Sequence, residues 1–238
     1  MTDNTVKKTF VRSKLPGDIP EVRLTRGETA LLVIDMQRMS AHRDGKYGVW
    51  ARETGIADQV EYYFSTVERT TVPRIKELIA ACRDLGVEVI YTQVAALTND
   101  GREMGWRYKA WSMTDRFDSK EAEILPELKP QPNDLVVTKT CTSVFLGSNL
   151  DRYLRNMRVR NLIACGVATN GCVESAVRDA SDLEYSLVLA TDACATISRE
   201  DQEQSVKAMC PLYAEGLTTN QVIEKLFRDC GKGQRARA

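Results

Sequence analysis

A single histidine, His42, stands among the 238 residues of this chain. Sites that need two or more imidazoles from one chain are thereby excluded, and most catalytic zinc schemes with them. A nucleophile here must find its base in another residue type. Seven cysteines are available and no Cys-x-x-Cys pair occurs, so neither a zinc ribbon nor a dithiol redox motif is supported. Cys172 stands apart from the other six. It follows Gly166-Val167-Ala168-Thr169-Asn170-Gly171, which reads as a strand end and turn, and it opens a helical pattern. The N–H groups and partial positive charge of a helix N-terminus favour a thiolate, and the same N–H groups can hold an oxyanion. Asp35 and Lys139 each close an apolar run. Taken singly they read as a capping carboxylate and a solvated lysine, and Cys172 as a small residue packed at a helix start. Taken together they supply a proton acceptor, a fixed cation and a nucleophile, which is the equipment for attack on a carbonyl without histidine.

The elements that must position them are legible as alternating patterns. Apolar runs at 30–35, 86–92, 134–139, 161–167 and 186–190 are rich in Val, Ile and Leu and scarcely alternate. Strands covered on both faces read this way. Between them Val72, Ile75, Leu78, Ile79, Cys82 and Leu85 fall on one helical face. So do Leu150, Tyr153, Leu154 and Met157, and again Val173, Ala176, Val177, Ala180 and Leu183. Strands alternating with helices predict right-handed βαβ units and a parallel sheet. Two long mixed regions, 37–66 and 94–120, follow strand ends, at the sheet edge where ligands bind in open parallel sheets. The second carries Trp106, Tyr108 and Trp111. One of these aromatics is expected near Cys172, the alternative being burial at a subunit interface.

Lys and Arg total 33, as do Asp and Glu, so a general nucleic-acid footprint is not expected. No apolar run approaches the roughly 20 residues that span a bilayer, and residues 1–20 lack the apolar stretch of a secretory signal. An odd number of thiols then suggests a reducing compartment. The expectation is a cytoplasmic protein acting on a small molecule, with no membrane or nucleic-acid partner, and assembled as a homo-oligomer, a dimer or tetramer.

Three stretches together resemble the isochorismatase-like cysteine hydrolases. They are Leu31-Leu32-Val33-Ile34-Asp35-Met36-Gln37, Lys139 with Ser143 and Phe145, and Gly166-Val167-Ala168-Thr169-Asn170-Gly171-Cys172-Val173-Glu174-Ser175. Asp192-Ala193 and the closing Leu217-Thr218-Thr219-Asn220-Gln221-Val222 extend the likeness, which runs from about Glu28 to about Leu226. The resemblance implies an α/β fold: a three-layer αβα, single Rossmann-like domain with a mainly parallel six-stranded sheet. The division expected is an N-terminal extension over 1–26, the hydrolase domain over 27–228 and a flexible basic tail over 229–238. Carried over, Cys172 is the nucleophile, Asp35 the general base and acid, and Lys139 their electrostatic partner. The family also implies a cis peptide between Val167 and Ala168, and an oxyanion hole from the N–H groups of Ala168 and Cys172. Gln37, Trp106, Arg107, Tyr108, Phe145 and Asn170 are the candidates for substrate contact.

The chain also departs from the family. Nicotinamidases of this family bind a metal through an Asp and two His near the second strand, but 93–100 contains no His. No metal and no other cofactor is expected, and nicotinamide is disfavoured. Gly171 replaces a bulkier apolar residue. The function expected is that of a metal-independent cysteine amidohydrolase. It would cleave a C–N bond of a small linear amide, carbamoyl or ureide compound through a thioester. The run from Ala168 to Ser175 followed by Arg178-Asp179 most resembles ureidoacrylate and biuret hydrolases. Two alternatives stand beside it. One is an isochorismatase-type vinyl ether hydrolase, with Arg102, Arg107 and Lys109 as cations for a cyclic dicarboxylate. The other is a non-catalytic interaction module.

Overall fold

The computed structural model describes residues 21–230. Six strands form one sheet: β1 (Thr29–Ile34), β2 (Glu88–Val94), β3 (Leu135–Lys139), β4 (Asn161–Val167), β5 (Ser186–Ala195) and β6 (Glu215–Leu217). Their order is β3-β2-β1-β4-β5-β6, and every neighbouring pair is parallel. The expected α/β fold is therefore present, with an all-parallel sheet. β1 and β4 are buried along their whole length, as their unbroken apolar sequences require.

The helices are α1 (Arg38–Ala41), α2 (Lys46–Glu53), α3 (Glu61–Thr66), α4 (Val72–Asp84), α5 (Trp106–Ala110), α6 (Leu150–Asn156), α7 (Glu174–Asp182), α8 (Arg199–Met209) and α9 (Thr219–Cys230). α4 packs on β1, β2 and β5 and against α9, while α7 packs on β5 and α8. Right-handed crossovers run outward from β1 through β2 to β3 in one direction and from β4 through β5 to β6 in the other, which puts α4 and α7 on opposite faces. A widened, π-type turn at Val67–Thr71 joins α3 to α4. It comes just before Pro73, whose missing N–H breaks the regular ladder there.

Several expectations on extent are corrected. The region 37–66 is largely helical, in pieces too short to show a periodicity. β5 continues five residues past 190 and takes in Asp192, whose Oδ1 accepts from the N–H of Thr219 (2.7 Å) and starts α9. Of the expected extension and tail, residues 1–20 and 231–238 lie outside the described residues. The described remainder packs on the domain: Leu24 is fully buried and its N–H donates to Asp229 Oδ2 (3.1 Å), while α9 runs on to Cys230.

At the centre of the sheet β4 comes unusually close to β1. Gly166 has φ 121°, and a Cβ there would stand 2.1 Å from the carbonyl oxygen of Ile34. β4 also shifts register against β5 between Ala164 and Gly166. The contact sets the spacing of the strand ends that carry Asp35 and Ala168. Gly166→Ala adds both a backbone clash and a disfavoured φ, and should cost about 3 kcal/mol or more of unfolding free energy. Urea denaturation reads this directly. A loss below about 1 kcal/mol would show that the two strands can separate there freely.

Candidate active site

The strand order reverses at β1 and β4, so their C-terminal ends border a crevice. Asp35 lies one residue past β1 with φ 51°, a left-handed conformation that Asp tolerates better than most residues. Its N–H donates to the Thr92 carbonyl (3.2 Å), and Thr92 Oγ1 donates to Asp35 Oδ1 (2.6 Å). Lys139 ends β3, on the far side of β2, and its long side chain crosses back toward β1. Nζ lies 2.8 Å from Asp35 Oδ2 and donates to the Thr142 carbonyl (2.5 Å). Lys139 is 0% and Asp35 4% exposed. A pair this deeply buried holds only while both partners are present; losing one leaves an uncompensated charge, at a cost of about 3–5 kcal/mol.

Asp35 Oδ2 has no aligned hydrogen-bond donor despite its contact with Nζ. It is the oxygen left able to receive a proton. Burial works against the charge on Lys139, but Asp35, then Cys172 and Tyr108, outweigh it and hold the ammonium above the ordinary lysine value.

Cys172 lies in a tight turn, Thr169–Val173, that leads into α7. The Val167–Ala168 peptide before it is cis. The Ala168 carbonyl accepts from the N–H groups of Gly171 (3.0 Å) and Val173 (3.2 Å) and so closes the turn. From outside, Thr169 Oγ1 donates to Gln202 Oε1 on α8 (2.6 Å). Burial, and next the charge of Asp35, push the Cys172 thiol up to about 11, with Lys139 opposing. This corrects the expectation of a thiolate stabilised by a helix end. α7 begins only at Glu174, and the sulfur is enclosed beside a carboxylate. The resting group is a thiol and needs a base.

The candidate substrate-contact residues divide. Tyr108 is buried, with its hydroxyl 3.6 Å from Cys172 Sγ, so one of the three aromatics does reach the sulfur. Arg107 is exposed and donates from Nη2 to Thr142 Oγ1 (2.9 Å). Trp106 and Trp111 are 77% and 58% exposed. Asn170 is exposed, and its Oδ1 accepts from Thr196 Oγ1 (2.6 Å). Two expectations are corrected. Gln37 is fully buried: Nε2 donates to the carbonyls of Val94 and Ala122, and Oε1 accepts from the Val94 N–H. It braces the loop after β2 and has no polar atom left for a substrate. Phe145 is buried in the main core with its ring beside Tyr185.

Sequence reading missed Thr92 and Thr142, which hold Asp35 and Lys139. A hydroxyl at the register position beside the strand end that carries Asp35 was the available signal for Thr92, which pairs with Ile34. It also missed Asp179, which accepts a short hydrogen bond from Ser143 Oγ and ties the loop after Lys139 to α7. His42 lines an open cavity of about 580 Å³ with Val72, Lys76 and Glu127, and that cavity contains none of Asp35, Lys139 and Cys172. The cluster under Tyr108 is where the chemically matched groups converge.

Known proteins resemble this chain over most of its length. The family model described as the isochorismatase domain matches residues 29–221. The chain is 34% identical over 197 residues to the ureidoacrylate amidohydrolase RutB of Agrobacterium fabrum, covering 75% of this chain and 81% of that protein. It is 30% identical over 208 residues to the protein of the same name from Pseudomonas syringae pv. syringae, covering 81% and 80%. Among solved structures, a cysteine hydrolase from Pseudomonas syringae pv. phaseolicola 1448A matches with a TM-score of 0.75 at 25% identity, over 90% of this chain and 100% of that one. The N-carbamoylsarcosine amidase of Thermoplasma acidophilum, at 22% identity and a TM-score of 0.61 over 81% and 97%, shares the fold.

Below a thiol pKa of about 11, the thiolate fraction rises about tenfold per pH unit. Iodoacetamide labelling of Cys172 should climb with that slope between pH 7 and 10. Asp35→Asn removes a charge that raises the thiol, so its labelling profile should move to lower pH. Its turnover should nevertheless fall roughly 10²–10⁴-fold. An unmoved profile with normal turnover would take Asp35 out of the chemistry.

Proposed function

The chain belongs to the isochorismatase family, and on that premise we propose that it is a cysteine amidohydrolase cleaving the terminal C–N bond of a small linear ureide or carbamoyl compound. The observation that carries this reading is the buried Asp35–Lys139 pair set against Cys172, with Asp35 Oδ2 lacking an aligned donor. The names of the ureidoacrylate amidohydrolases from Agrobacterium fabrum and Pseudomonas syringae support the substrate class.

In the proposed reaction the Cys172 thiol gives its proton to Asp35 Oδ2 as sulfur attacks the carbamoyl carbon. The N–H groups of Ala168 and Cys172 hold the oxyanion, where one such donor is worth roughly 3–4 kcal/mol. Lys139 stays charged and offsets the negative charge that appears on sulfur. Asp35 returns the proton to the departing nitrogen and ammonia leaves a thioester. A water molecule, deprotonated by Asp35, attacks that carbonyl. The acid departs and the proton returns to sulfur. The metal-ligating histidines of nicotinamidases have no counterpart in 93–100, so the reaction runs on protein groups alone.

The same reading makes the protein a cytoplasmic homo-oligomer. Seven free thiols support a reducing compartment, and the exposed rings of Trp106 and Trp111 support a subunit contact. Among the described residues no helix is long and apolar enough to cross a membrane.

The deciding experiment is ammonia release from biuret, ureidoacrylate, N-carbamoyl amino acids and nicotinamide. A ureide or carbamoyl compound should be turned over and nicotinamide should not. Cys172→Ser should abolish release, and EDTA should leave it intact. Release that survives Cys172→Ser, or a chelator-sensitive loss restored by zinc, would overturn the mechanism.

A further inference from the structure

Next to Tyr108 stands a cation that this reaction does not use. Arg107 lies on α5 beside Tyr108, and its Nη2 donates to Thr142 Oγ1 (2.9 Å). Tyr108, the next residue on α5, places its hydroxyl 3.6 Å from Cys172 Sγ. The carbonyl of Thr142 accepts from Lys139 Nζ. Thr142 thus links Arg107 to the lysine of the buried pair, while the neighbour of Arg107 on α5 reaches the sulfur.

The neighbouring cations are committed elsewhere. Arg102 pairs with Asp100 (3.4 Å), and Lys109 Nζ donates to the carbonyl of Arg102 (2.6 Å). Arg107 bonds a neutral hydroxyl, and among the described residues no ion pair involves it. Its remaining N–H groups keep the planar fork that binds a carboxylate with two parallel hydrogen bonds.

We propose that Arg107 is a specificity-determining residue that binds the carboxylate of a monoanionic ureide whose carbamoyl end lies at Cys172. The proposal rests on the amidohydrolase reading above and narrows its substrate class. One guanidinium, on the short helix whose next residue reaches the sulfur, suits a short acyclic molecule with a single carboxylate at the end opposite the carbamoyl group. A cyclic dicarboxylate, as an isochorismatase-type reaction would require, needs a second cation, and among the described residues neither Arg102 nor Lys109 hydrogen-bonds to Thr142, Tyr108 or the buried pair.

Two paired probes test this. The first pair is 3-ureidopropionate and its methyl ester, compared by ammonia release. The second is iodoacetate and iodoacetamide, compared by their rates of Cys172 alkylation, in which sulfur displaces iodide. The wild-type protein should prefer the acid to the ester. Arg107→Gln should reduce that preference roughly ten- to a hundredfold, mainly through KM, as expected for loss of a charge-assisted hydrogen-bond pair. Arg107→Lys should restore part of it. The ratio of iodoacetate to iodoacetamide alkylation should fall in Arg107→Gln as well. A wild-type preference for the ester, or ratios that Arg107→Gln leaves unchanged, would overturn the proposal. If the wild type turned over biuret or another neutral carbamoyl compound but neither ureide, the amidohydrolase reading would stand and this proposal would be overturned. Release from none of these compounds would defeat the amidohydrolase reading, and the alkylation ratio would still decide whether Arg107 attracts a carboxylate to the sulfur.

Discussion

A buried ion pair between residues on two different strands constrains everything around it. Asp35 and Lys139 reach each other over β2, with almost no access to water. Taking both charges out of water costs several kcal/mol apiece, and their attraction offsets this only when other hydrogen bonds complete each group. Thr92 completes Asp35 from β2, and the Thr142 carbonyl completes Lys139 from the loop after β3. That loop is in turn fixed to α7 by Ser143 and Asp179. The pair therefore needs the register of three strands and the placement of the helix that follows Cys172. It also explains the tight contact at Gly166, because a wider gap between β1 and β4 would carry the turn bearing the thiol away from the carboxylate.

Burial then sets the chemistry of the sulfur. An exposed thiol at a helix end would stand as a thiolate in much of the population and react with any passing electrophile. Here enclosure and the neighbouring carboxylate push the thiol up. In the proposed reaction the thiolate forms only as its proton passes to Asp35, while Lys139 remains charged throughout. The cation is what makes that transfer feasible: without it, a proton moving from sulfur to Asp35 would simply relocate an uncompensated negative charge within a low-dielectric pocket. On that reading no histidine is needed at the sulfur, since a carboxylate held there by a buried cation would fill the role that imidazole plays in other thiol hydrolases.

What the sequence disclosed follows from which forces are local. Unbroken apolar runs gave β1 to β5, because a strand buried on both faces must be apolar throughout. The three-residue β6 and the polar α8 left no such pattern, since both depend on neighbours far away in the chain: β6 on β5, and α8 on the turn at Thr169. Asp35, Lys139 and Cys172 were readable because each closes or follows a strand, and strands fix their own ends. Gln37 and Phe145 were misjudged because nearness to a motif does not tell which way a side chain turns. Thr92 and Thr142 went unnoticed because a threonine in a strand or loop looks ordinary until its partner is known. The sign of the thiol shift was likewise hidden, since burial is a property of the assembled fold.

The groups proposed to choose the substrate are supported differently from those proposed to cleave the bond. Asp35, Lys139 and Cys172 are carried by strand ends and a turn rooted in the main core. Tyr108 and Arg107 belong to a five-residue helix whose apolar support is a small separate cluster of Met39, Val94, Ala96, Met104 and Tyr108, with Met113 against it. Methionine fills irregular gaps and tolerates repacking. Changes in this segment can therefore re-aim a side chain over the sulfur at little cost to the sheet, whereas a change at the ion pair disturbs the sheet itself. A scaffold divided in this way can keep one reaction and vary its substrate, because the energy that holds the reacting groups is drawn from a different set of contacts than the energy that holds the specificity groups.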